Sequence, residues 1–142
     1  MNPTRSRYLC IDYGDRRVGI AIADAEVPIA FPRETIDRQT TPLWERLDQL
    51  VQSEKITEII VGWPQHPDGR PDGKQVDVQK FIDELASRIA LPIHKQDESY
   101  SSVSALQATS HIKKKEKRDK GRIDRAAAAV ILQRWLDKET VL

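Results

Sequence analysis

Residues 8–24 read YLCIDYGDRRVGIAIAD. Tyr8 to Ile11 is a short apolar run of the kind a buried strand needs, and Asp12 stands at its carboxyl end. Asp12-Tyr13-Gly14-Asp15-Arg16-Arg17 has the composition of a turn. Val18 to Asp24 then alternates bulky residues (Val18, Ile20, Ile22) with small ones (Gly19, Ala21, Ala23). A strand with that pattern is covered on both faces, with something packed closely on the small side. The stretch therefore predicts a hairpin that opens a sheet and leaves a carboxylate at one strand end.

Outward from this hairpin, Pro28 to Ile36 makes a third strand, which Pro32 places at a sheet edge. Thr40 or Thr41 is a candidate cap for a helix with Pro42 at its first position. Leu43, Leu47, Leu50 and Val51 mark its apolar stripe. Glu58 to Gly62 reads as a short buried strand, followed by a loop from Trp63 to Gly73. Val78, Phe81, Ile82, Leu85 and Ile89 mark a second amphipathic helix. Pro92 opens a strand over Ile93 to Gln96, which ends at Asp97-Glu98. Ser102 to Ile112 reads as helical, and a last helix runs from near Ile123 to Lys138. A meander followed by βαβα alternation predicts an α/β fold, a mixed five-stranded sheet with helices on both faces.

The chain has 142 residues and a mass of 16.2 kDa, which suits a single domain over residues 1–142. Its longest apolar run, Ala126 to Leu132, is far short of the ~20 residues that span a bilayer. The basic N-terminus meets Asp12 after four apolar residues, unlike a signal peptide. The lone Cys10 can form neither an intramolecular disulfide nor a zinc site by itself. These features predict a soluble protein of a reducing compartment, the cytoplasm. Net charge is +1, yet residues 113–122 (KKKEKRDKGR) carry a local +5 and the rest of the chain −4. Lys113, Lys114, Lys115, Lys117, Arg118, Lys120 and Arg122 thus form a strip suited to a polyanion at one place. Gly121 lets the chain turn there, so the strip reads as an arm that settles on nucleic acid; the alternative is a solvated helix end or loop.

Ligands of open α/β sheets sit outside the carboxyl ends of the parallel strands. Asp12 and the pair Asp97-Glu98 both end strands. Each has a structural alternative: Asp12 can bond the turn, and Asp97 can cap the following helix. Side chains of adjacent strand residues point to opposite faces, so one acid of the pair shares a face with Asp12. Asp124 opens the last helix, where dipole and capping also favour an acid. Ala127, Ala128, Ile131 and Trp135 lie on its side of that helix, which predicts that this face packs inward. Three carboxylates brought to one sheet end repel one another, and Mg²⁺ or Mn²⁺ is the natural compensation. Paired cations of this type serve phosphodiester cleavage.

YLCIDYGDRRVGIAIAD, EIIVGWPQHPDG, DESYSS and GRIDRAAAAVIL follow one another as the motifs of the YqgF family do. The chain resembles that family, RuvC-related Holliday junction resolvases also described as pre-16S rRNA nucleases, from about Tyr8 to Leu136. The resemblance implies a ribonuclease-H-like fold and a metal-dependent nuclease acting on structured nucleic acid in ribosome biogenesis. The preferred substrate is pre-16S rRNA. It carries the family's strand-end aspartate onto Asp12, its DE pair onto Asp97 and Glu98, and its helix-start aspartate onto Asp124. Asp12, Glu98 and Asp124 are then the expected catalytic and metal-binding residues, with Asp97 an outer ligand or a cap. Ser99 stands where the family usually carries arginine.

Rival functions are a Holliday junction resolvase in DNA repair, a non-catalytic RNA-binding assembly factor, and an actin-like ATPase. The ATPase needs a second such domain, for which the chain has no room. His66, His94 and His111 are scattered and read as surface or packing residues. Trp44 and Trp135 read as core, and Trp63 as a candidate for the substrate face. The expected assembly is a monomer or a weak homodimer.

Overall fold

The computed structural model describes residues 5–64, 73–98 and 120–140. Strands β1 (Arg7–Asp12), β2 (Arg17–Asp24) and β3 (Val27–Asp37) form an antiparallel meander. Strands β4 (Glu58–Trp63) and β5 (Ile93–Asp97) extend the sheet beyond β1 by parallel pairing. The order is β3-β2-β1-β4-β5, the mixed five-stranded sheet expected from the strand and helix order. β3 is an edge strand, as Pro32 requires, and its register with β2 shifts between Ile20 and Ala21, where Pro32 pairs.

Helices α1 (Leu43–Ser53) and α2 (Gly73–Arg88) cover one face, and α3 (Lys120–Thr140) covers the other. The alternation in β2 decides this asymmetry. Val18 and Ile20 join Leu9, Ile11, Ile59, Val61, Leu47, Leu50 and Leu85 in the larger core. Ala21 and Ala23 join Cys10 and Ile60 beneath Ala128, Ile131, Leu132 and Trp135 of α3. Small side chains on one face let a single helix lie close to the sheet. Among the described residues no helix is long and apolar enough to cross a membrane.

Three local expectations change. α1 has no side-chain cap: Pro42 is its N-cap residue, and the N–H groups of Thr40 and Thr41 donate to the Asp37 carbonyl instead. α3 starts at Lys120, so Gly121 is helical rather than a turn, and its carbonyl accepts the Thr35 hydroxyl of β3. Asp124 is accordingly one turn inside the helix, where an acid cannot cap. The loop after Trp63, the helix expected at Ser102–Ile112 and residues 113–119 of the basic strip lie outside the described residues.

Candidate active site

β1 and β5 flank β4, and all three point their carboxyl ends the same way. Asp12 ends β1, and Glu98 follows β5, held there by its own N–H donating to the Trp63 carbonyl at 3.1 Å. The carboxyl groups of Asp12 and Glu98 lie close enough to act directly on each other. Two carboxylates can meet this way only if they share a proton or a cation. Asp12 is raised from 3.8 to about 8, first by burial, then by the charge of Glu98 and the hydrogen bond with it. The charge of Lys74 opposes this rise and that of Asp124 adds to it. Directly behind Asp12 on the same face, the buried Cys10 thiol is pushed well above its ordinary range, by burial and then by Asp12 and Glu98.

Room for this pair is made by two glycines. A Cβ on Gly62 would lie 2.6 Å from Glu98 Oε2 and 2.9 Å from Ile131 Cδ1, so only glycine lets Glu98 tuck between β4 and α3. A Cβ on Gly19 would overlap the Asp124 carbonyl, a backbone atom that moves only with the whole helix. Gly19 is the register partner of Asp12, so this contact brings the start of α3 over the strand that holds the carboxyl pair. Gly19→Ala is expected to cost about 1–3 kcal/mol, as overpacking does, measured by urea unfolding. An unchanged midpoint would mean that α3 is not seated on Gly19.

Two basic residues complete the site. Arg17 Nε donates to Asp124 Oδ2 at 2.8 Å, and both side chains are about three-quarters buried, at 29% and 27% exposure. Lys74 Nζ, at the start of α2, lies 3.8 Å from Glu98 Oε1. Neither was singled out as part of a site in the sequence. Arg17 had a readable signal, because it shares the small-residue face of β2 with Gly19, Ala21 and Ala23. Lys74 had none, since it precedes the apolar stripe of its helix.

A match to the family described as RuvX, Holliday junction resolvase, spans residues 6–138. The chain belongs to the RuvX family. Curated relatives carry the name "Putative pre-16S rRNA nuclease". The one from Christiangramia forsetii is 34% identical over 134 residues, covering 92% of this chain and 98% of its own. That from Crocosphaera subtropica is 37% identical and covers 92% of each chain. That from Streptomyces coelicolor is 37% identical, covering 96% of this chain and 83% of its own. Among solved structures, Thermus RuvC ("T. thermophilus RuvC in complex with Holliday junction substrate") superposes with a TM-score of 0.56. The identity is 11%, over 94% of this chain and 95% of that one. The fold of this RuvX member is therefore that of RuvC, ribonuclease-H-like, and its family is one of nucleases, hydrolases of phosphodiester bonds.

Of the residues carried over from the family motifs, Asp12 and Glu98 meet, and Asp124 lies near enough to act on Asp12 by its charge. Asp97 lies on the other side of the strand. It pairs with Trp63, whose ring packs on the α1–α2 core, so alternation turns Asp97 to the opposite face from Glu98. Trp63 likewise faces away from the carboxyl pair, with Lys95 Nζ 4.0 Å from its ring centre. The inward face of α3 is as expected, with Ala127, Ala128, Ile131 and Trp135 all buried. Trp135 is core, and Trp44 stacks on Phe81 at its margin. His94 bonds Glu58 at 2.9 Å and packs on Trp135. Of the basic strip, Lys120 and Arg122 belong to the first turn of α3, one turn before Asp124.

Proposed function

We propose that the chain hydrolyses phosphodiester bonds of structured RNA with a divalent cation, Mg²⁺ or Mn²⁺, and that its substrate is the 16S ribosomal RNA precursor. The Asp12–Glu98 carboxyl pair carries this reading. Carboxyl oxygens crowded at the ends of parallel strands are hard donors of the kind these cations take, and a cation removes the repulsion that otherwise forces a shared proton. Asp12 and Glu98 would hold the cation, with Asp124 beside them. Among the described residues no three acidic, histidine or cysteine side chains enclose a cation position as they stand, and Arg17 engages Asp124. The donor chemistry fits; the third carboxylate is held by an arginine. When bound, the cation supplies Lewis acidity toward the phosphate and toward the attacking water. Lys74 keeps positive charge beside Glu98. Arg17 fixes the height of Asp124 above β2.

The shared name of the curated relatives favours RNA over branched DNA as substrate. Action on a ribosomal precursor would place the chain in the cytoplasm, as a monomer or weak homodimer. The test offers purified protein, with Mg²⁺ or Mn²⁺, a 16S precursor fragment and a four-way DNA junction. Cleavage of the precursor supports the reading. Resolution of the junction alone would move it to DNA. Tight RNA binding without cleavage of either would favour a non-catalytic assembly role.

Lys113, Lys114, Lys115, Lys117, Arg118, Lys120 and Arg122 would hold the phosphate backbone next to that site. Lys113→Ala/Lys114→Ala/Lys115→Ala is expected to weaken binding alike across sequences. Each lost contact should flatten the slope of log K against log salt by roughly 0.7–0.9. An unchanged slope in a salt titration would exclude these three lysines from the interface.

A further inference from the structure

Gln96 is 3% exposed, and its Oε1 has no hydrogen-bond partner among the described residues. Its Nε2 lies 3.4 Å from the Asp97 carbonyl and can only donate there, which identifies Oε1 as the end of the amide left over. Gln96 pairs with Gly62 across β4 and β5. The face of Gly62 that would carry a Cβ looks toward Glu98 Oε2 and Ile131. Gln96 and Glu98 therefore share the α3 side of β5, two residues apart, or about 6.6 Å along the strand. At the other end of that row His94 packs on Trp135, 5.3 Å between ring centres. An acceptor buried without a donor is costly, and a buried polar group of this kind calls for an explanation. The proton that Asp12 and Glu98 share lies between their own carboxyls, and with a cation bound both are acceptors only. A hydrated divalent cation can. Mg²⁺ in particular keeps several of its waters when it binds to one or two carboxylates, and those waters donate outward.

We infer that Gln96 Oε1 accepts from a water in the hydration shell of the divalent cation at the Asp12–Glu98 pair. It is a positioning residue, acting on the cation through that water. This inference rests on the cation reading proposed above. It is tested by titrating Mn²⁺ into the wild-type protein, Gln96→Met and Asp12→Asn, and by melting each without cation. Methionine matches the length of glutamine and removes the acceptor. The Mn²⁺ dissociation constant of Gln96→Met is expected to rise about 10–100-fold, the usual effect of losing an outer partner of a metal site. Its melting temperature without cation should be unchanged or higher, because an unsatisfied acceptor has been removed.

An unchanged Mn²⁺ affinity in Gln96→Met overturns the inference. A lower melting temperature with unchanged affinity does so too, and assigns Oε1 a donor within the protein. Asp12→Asn separates the role of Gln96 from binding of the cation itself. If that variant loses Mn²⁺ binding and Gln96→Met does not, only the role of Gln96 falls. If wild type and Asp12→Asn bind Mn²⁺ alike, the cation reading itself fails. Should Gln96→Met not fold, Gln96→Asn keeps the amide, shortens its reach by one methylene and carries the same titration.

Discussion

Asp12→Asn is expected to abolish cleavage while leaving nucleic-acid binding intact or slightly tighter. The amide keeps the size of the side chain and can still hydrogen-bond Glu98, so the fold has no reason to change. What it removes is a charge that the cation needs and that phosphate repels. Loss of a single preorganised electrostatic partner costs about 10²–10³-fold in rate, and the loss here is larger because the cation leaves with it. Single-turnover cleavage at saturating protein, alongside binding by anisotropy, reads the two effects apart. A variant that cuts within tenfold of wild type would remove Asp12 from the chemistry. One that neither cuts nor binds would mean that the substitution damaged the fold.

Without cation, stability should fall as pH rises from about 4 to about 8. The Asp12 carboxyl is raised from 3.8 to about 8 in the folded chain, so between those values the native state holds a proton that the unfolded chain has released. The stabilisation is complete below the unfolded value and is lost as pH passes through the folded one. Where the difference is one proton, the slope approaches ~1.4 kcal/mol per pH unit. Two other carboxyls act with the opposite sign and in a lower window. Asp24 is held low by the Glu26 N–H and then by Arg7 and Arg5, and Glu34 by its hydrogen bonds and charge pairing with Arg46. Their contributions are lost only as pH falls below the ordinary carboxylate range. Mg²⁺ or Mn²⁺ should displace the shared proton, so cation affinity rises with pH until Asp12 is ionised, and the stability slope flattens. Urea melts between pH 5 and 8.5, with chelator and with Mn²⁺, measure both. Equal slopes in the two series would show that the cation and the proton do not compete.

The sheet and both its faces were legible because β2 writes them as alternation: bulky Val18 and Ile20 one way, small Gly19, Ala21 and Ala23 the other. The strand-end position of Asp12 followed from the same stretch. Strand alternation also foretold that Asp97 and Glu98 part company, without saying which one meets Asp12; that depends on the register of β5 against β4. Helix starts were less legible. Gly121 reads locally as a breaker, yet the close approach of α3 to Thr35 outweighs its poor helix propensity, and the helix begins a turn early. That shift changes the account of Asp124, whose partner is Arg17 and not the helix end. Lys74 and Gln96 were hidden for different reasons. A lysine before an apolar stripe looks like surface, and a lone glutamine in a short strand shows its burial only once α3 is in place.

The ion pair between Arg17 and Asp124 joins residues 107 positions apart in the chain. A ribosome working at ~5–20 residues per second needs roughly 5–20 s to travel that distance. Once Glu98 is made, 26 residues remain before Asp124, roughly 1–5 s at that rate, and over that shorter interval the meander, β4 and β5 can be complete while the face that α3 covers is still bare. The carboxyl pair is then made before the helix that closes over it. During its own synthesis the protein thus passes through a stage with Asp12 and Glu98 already present and Asp124 not yet made. Emergence of the last helix times the appearance of the finished site.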